Sequence, residues 1–149
     1  MPRSFIISLI VLATLVGFPS NSAGQEMIDV IFARDVFNRE PVDPFQPGAY
    51  CGPETAPSGS IPVIDSQQEN RVYLWNRVKS QGEDVLRYRW LKDGVEVAMV
   101  ELDVAESPGW RTWSSKNIDP TFHIGSWKVE VTVASNPNNV ICVAHFIVK

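Results

Sequence analysis

Residues 126–148 read SWKVEVTVASNPNNVICVAHFIV, and their pattern decides the fold class. Trp127, Val129, Val131 and Val133 alternate with Lys128, Glu130 and Thr132. A period of two places the apolar set on one face of an extended strand and the polar set on the other. Ser135-Asn136-Pro137-Asn138-Asn139 is a cluster of turn formers, and residues 140–148 (VICVAHFIV) return as a second strand. Working backwards, 84–92 (DVLRYRWLK) and 95–104 (VEVAMVELDV) flank Asp93-Gly94, a strong hairpin signal because Gly accepts the positive φ of a primed turn. Leu86, Tyr88 and Trp90 point one way, with Arg87 and Arg89 opposite. The run 95–104 changes phase near Val97-Ala98, which predicts a β-bulge.

Earlier in the chain, 27–37 (MIDVIFARDVF) and 71–79 (RVYLWNRVK) are strand-like, and 110–116 (WRTWSSK) forms a short strand or strand edge. No stretch carries an apolar period of 3.6 residues. Residues 41–63 hold most of the Pro and Gly and predict a long, irregular connection. Six or seven short strands joined by hairpin turns predict an all-β chain, a β-sandwich of about seven strands rather than a closed barrel.

The first 24 residues have the three parts of a cleavable export signal. Arg3 is the positive region, Phe5 to Phe18 (FIISLIVLATLVGF) the apolar region, and Pro19 to Gly24 a helix-breaking run of small residues. Ser22-Ala23-Gly24 sets the cut before Gln25, with cleavage after Ala23 as the close alternative. An apolar run of ~14 residues is shorter than the ~20 a spanning helix needs. No Cys follows it to carry a lipid. The expectation is therefore a leader at 1–24 and a single domain at 25–149, periplasmic or secreted, with no membrane insertion once the leader is removed.

In that compartment Cys51 and Cys142 are expected to pair, closing a loop of ~90 residues worth on the order of 4 kcal/mol. The competing reading makes Cys142 a small buried hydrophobe and Cys51 a loop thiol. No C-x-x-C is present.

The full chain has 13 Lys+Arg against 17 Asp+Glu; without Arg3 twelve bases face the same acids, a net charge of −5. Such a chain has no electrostatic footprint for nucleic acid or anionic lipid. His123 and His145 stand apart with no carboxylate at ligand spacing, so neither metal nor cofactor is expected. There is no G-x-S-x-G elbow, and no catalytic residue is assigned; a hydrolase remains a remote alternative.

All five Trp lie between 75 and 127. Aromatic and cationic residues interleave in Trp110-Arg111-Thr112-Trp113-Ser114-Ser115-Lys116 and in Arg87-Tyr88-Arg89-Trp90. These Trp either fill a thin sandwich core or present a binding surface, with Trp110, Arg111, Trp113, Lys116 and Arg89 as its candidate residues. On a regular strand Trp110 and Trp113 cannot both face inward. Two functions follow: a non-enzymatic cell-envelope module that binds another protein, or a carbohydrate-binding module that stacks sugars on exposed Trp. Two exposed Trp in line on one sheet face would indicate sugar; buried Trp with an apolar edge would indicate protein.

The order of motifs resembles a bacterial family known only as a domain of unknown function. The matching residues are Arg39-Glu40-Pro41, Val72-Tyr73-Leu74-Trp75, Arg89-Trp90 with Asp93-Gly94, Trp110 to Lys116, Gly125 to Val131, and Phe146-Ile147-Val148. They span about 28–148. Tyr88 is a departure, since a His is expected before the Arg-Trp pair. The resemblance implies an immunoglobulin-like sandwich and a cell-envelope location; it implies no substrate.

Overall fold

The computed structural model describes residues 24–49, 51–52 and 61–149, so nearly all of the leader lies outside the described residues. Among the described residues, nine strands form two sheets. β1 (Gln25–Phe37), β2 (Glu40–Pro44), β4 (Arg71–Ser80) and β7 (Ser107–Asn117) make the first, in the order β2-β1-β4-β7. β3 (Val63–Ile64), β5 (Asp84–Lys92), β6 (Val95–Val104), β8 (Gly125–Val133) and β9 (Asn136–Val148) make the second, in the order β3-β9-β8-β5-β6. All pairings are antiparallel except the short parallel contact of β3 with β9. The chain crosses between sheets from β2 to β3, β3 to β4, β4 to β5, β6 to β7 and β7 to β8. β4 and β7 thus take the places of strands B and E of an immunoglobulin domain, and β9-β8-β5-β6 those of G, F, C and C′. Among the described residues none occupies strand D; β1 and β2 extend the first sheet on the far side of β4. No helix among the described residues is long and apolar enough to cross a membrane.

The sheets bury the faces that alternation marks. Leu86, Tyr88 and Trp90 of β5 are fully buried, as are Val129 and Val131 of β8, against Phe32, Val72, Leu74 and Val78 of the first sheet. Phe146 is the hub: Trp127 stacks on it at 5.5 Å between ring centroids, and Phe32 and Trp90 meet it edge-on at 5.0 and 6.1 Å. The bulge in β6 is where the pattern breaks. Trp90 pairs with Ala98 and Leu91 with Glu96, so Val97 is the extra residue.

Three expectations change. Among the described residues the strands number nine, not about seven. Residues 41–44, assigned to the irregular connection, belong to β2; Pro41 and Pro44 are tolerated there because β2 is an edge strand. The last hairpin turns at Ala134–Ser135, and Asn136–Asn139 lie within β9. Asp84 enforces the tight turn, accepting hydrogen bonds from the Ser135 backbone N–H at 3.3 Å and from its hydroxyl. Register shifts on either side of Thr132 absorb the extra residues, Pro137 among them.

The Pro/Gly-rich connection is fastened where it is described. Phe45 is buried and its N–H bonds the Phe32 carbonyl at 2.9 Å. Cys51 is disulfide-bonded to Cys142 of β9, and the next N–H, of Gly52, reaches the Val143 carbonyl at 3.2 Å. The expected pairing therefore forms, and it ties the connection to the second sheet.

Candidate functional site

The candidate residues do not share one surface. On β4 and β7 the inward row is Val72, Leu74, Asn76 and Val78 against Trp110, Thr112 and Ser114; the outward row is Tyr73, Trp75 and Arg77 against Arg111, Trp113 and Ser115. Trp110 and Trp113 thus lie on opposite faces, as strand geometry requires. Trp110 packs partly buried against the rim of the core, and Trp113 stands half-buried on the outer face. Lys116 shares Trp110's parity and directs its ammonium to the Asn117 carbonyl at 3.3 Å. Arg89 is on the outer face of the other sheet, between Glu96 at 2.8 Å and Glu130 at 3.1 Å. Glu96 foremost, with Glu130, raises its already high pKa. Arg89 is therefore removed from the Trp113 surface: both strands read as cationic and aromatic, but they belong to different sheets.

Three of the five Trp are structural. Trp90 and Trp127 are core residues whose indole N–H groups donate to Ser114 Oγ at 3.0 Å and to the His123 carbonyl at 2.8 Å. Trp75 lies on the outer face of its sheet yet is only 4% exposed. Its cover is the β1–β2 turn. Asn38 and Arg39 adopt positive φ there, and the Arg39 carbonyl accepts the Trp75 indole N–H at 2.9 Å. The guanidinium of Arg39 lies 6.0 Å from the Trp110 ring, and Glu40 pairs with Arg111. The turn is thus clamped to β4 and to the edge strand β7. Motifs 39–41, 72–75 and 110–116 are far apart in sequence, and this face brings them together.

Beside the clamp runs an open groove of about 620 Å³, lined by Ile31, Pro41, Trp75, Arg77, Pro108 and Arg111 among others. Trp75 is directly opposite Trp113, and Arg77 directly opposite Arg111. Two guanidinium groups side by side repel, and each has its own acid: Asp29 for Arg77 at 2.6 Å and Glu40 for Arg111. The stem of Arg77 lies over Gly109, where a Cβ would stand 3.2 Å from its Cδ. The groove is therefore more polar than apolar, with paired charges at its walls and Ile31, Pro41 and Pro108 as its apolar contributors. Sequence reasoning missed Ile31, Glu40, Pro41, Trp75 and Arg77 as parts of this face. The signal available was the recurrence of 39–41 and 72–75 among the motifs; their contact with 110–116 depends on the hairpin folding over.

The histidines have local settings. His123 Nδ1 accepts the Asp119 N–H at 2.9 Å, and its ring meets Trp127 edge-on at 5.4 Å. Desolvation, then the cations of Lys116 and Lys92, lower its pKa against the pull of Asp119. His145 lies on β9 beside Lys128. Among the described residues no three His, Cys, Asp or Glu groups converge as metal ligands. Tyr88, where the resemblance led to the expectation of a His, is fully buried between the sheets. Burial raises its pKa, and the Thr112 side chain only partly offsets this. Its hydroxyl is closed off from solvent.

No curated protein matches the chain. The resemblance to a domain of unknown function stands for residues 83–148, strands β5 to β9, which match the family described as Protein of unknown function (DUF2914).

Proposed function

We propose that the protein is an exported, non-enzymatic module of the cell envelope that binds another protein through the outer face of the β2-β1-β4-β7 sheet. The groove beside Trp113 carries this reading: it is open, has Ile31, Pro41 and Pro108 in its lining, and is bounded by Arg77 and Arg111 with their paired acids. Aromatic and arginine side chains in such a setting are the usual anchors of protein interfaces. The leader pattern and the Cys51–Cys142 bond support a periplasmic or secreted location. The carbohydrate alternative needs two Trp faces in line. Trp75 and Trp113 have that alignment, but the Arg39 turn covers Trp75.

Crosslinking and pulldown from envelope extract tests the reading. The wild-type chain recovers a partner, and Trp113→Ala and Arg111→Ala each lose it. Recovery unaffected by both changes places the interface elsewhere. Titration with glycans, peptidoglycan fragments included, leaves tryptophan fluorescence unchanged; a saturable shift abolished by Trp113→Ala would favour the carbohydrate reading instead.

A further inference from the structure

The two sheets have four edges, and three are blunted. β2 is five residues long and contains Pro41 and Pro44. β3 is two residues long. β7 carries Pro108, Arg111 and Lys116. Proline, cations and brevity are the devices by which sheet proteins prevent strand addition. β6 lacks them: its ten residues, VEVAMVELDV, include neither Pro nor Lys nor Arg, and among the described residues β5 is its sole strand partner. Met99, on its outer face between Glu96 and Glu101, is 52% exposed, and Val95 and Val97 near its start are 68% and 43% exposed. The bulge at Val97 and the acids Glu96, Glu101 and Asp103 are its protective features, and the bulge leaves 98–104 in regular register with β5.

We propose that β6 is a self-association edge, pairing antiparallel with β6 of a second copy about a two-fold axis near Met99. Charge selects the occupant. Two of the three acids of β6 are already neutralised within their own sheet: Arg87 binds Glu101 at 2.9 Å and Arg89 binds Glu96 at 2.8 Å. A foreign basic strand would find those carboxylates occupied. An identical strand brings its own neutralised acids and adds little uncompensated charge. About an axis at Met99, Met99 meets Met99, Ala98 meets Val100, and Val97 meets Glu101; no carboxylate opposes a carboxylate. Parallel pairing in register would stack Glu96, Glu101 and Asp103 on their counterparts, which is unfavourable. A two-fold contact closes on itself, so the product is a dimer and not a fibre. A single strand edge is smaller than a standard stable interface, so the dimer is concentration-dependent.

Sedimentation velocity of the purified protein over a concentration series tests this, with hydrogen exchange read at low and high concentration. The expected result is a reversible monomer–dimer equilibrium, with slowed amide exchange in 95–103 at high concentration. Met99→Lys weakens association by about tenfold or more, while Ile124→Lys, at an exposed site on the β7–β8 connection, leaves it unchanged. Near-ultraviolet circular dichroism from buried Trp90 and Trp127 checks that each variant is folded. A monomer at every concentration overturns the proposal. So does a dimer that survives Met99→Lys, or one whose protected amides lie outside β6. Trp113→Ala and Arg111→Ala do not touch β6, so loss of a foreign partner and loss of the dimer are separate results.

Discussion

Removing the Cys51–Cys142 bond has a calculable effect. The bond spans 91 residues of sequence. In the chain-entropy account, a loop of that length restricts the unfolded ensemble by about 15 cal/mol/K, or about 4.6 kcal/mol at 25 °C. A domain of this size unfolds with an entropy of about 0.26 kcal/mol/K near its midpoint, so the expected drop in Tm is about 15–20 °C. The native-state loss is smaller: Cys51 is half-buried, and the Gly52–Val143 hydrogen bond is the neighbouring contact most directly released. Cys51→Ala/Cys142→Ala avoids a free thiol, and wild-type protein with reductant provides the matching measurement. Thermal unfolding followed by far-ultraviolet circular dichroism reads both. Agreement between the two at the expected shift supports the entropic account. A drop below about 4 °C in both would refute it, since it would mean that less than about 1 kcal/mol resides in closing the loop.

Other expectations are local. Ser114→Ala leaves the buried Trp90 indole N–H without its acceptor and lowers stability by about 1–3 kcal/mol, read from the urea midpoint. The Ser126 backbone N–H, then Lys92, hold the Asp93 carboxyl below its ordinary pKa. A depressed folded pKa stabilises the fold above the unfolded value and is lost as pH falls through the folded one. Carboxyl-carbon NMR should therefore show Asp93 still ionised as pH drops below about 4, with its stabilisation disappearing further down. A fragment of residues 83–148, the part that matches the family, is expected to remain unfolded: β7 would lack β4, and the core would lack Phe32, Val72, Leu74 and Val78. Dispersed amide resonances from that fragment would contradict this.

The legible parts of the fold are those fixed by local alternation. β5 and β8 have one apolar and one polar face, so their phase follows from the hydrophobic effect, and the bulge at Val97 shows where β6 slips. β7 was legible as a strand but not in its phase. Its inward residues include Thr112 and Ser114, while Trp113 points out. A hydropathy pattern does not foresee that order, because it depends on Trp90 in the other sheet requiring an acceptor at Ser114. The candidate site was legible by half: Arg111 and Trp113 stand together, but Arg89 was grouped with them on composition alone.

By itself, the sequence determined strand periods, the Asp93-Gly94 turn, an acidic net charge and a count of two cysteines. These are short-range properties or simple counts. Tertiary structure decided which strands share a sheet, which Trp are covered and which edge is left open. Trp75 shows why. Its outward position follows from alternation with Leu74 and Asn76, but its burial comes from a turn 36 residues earlier that folds back to bond its indole. A strand's pattern specifies two faces; what lies against each face is set by chain segments that are distant in sequence and meet only when the sandwich closes.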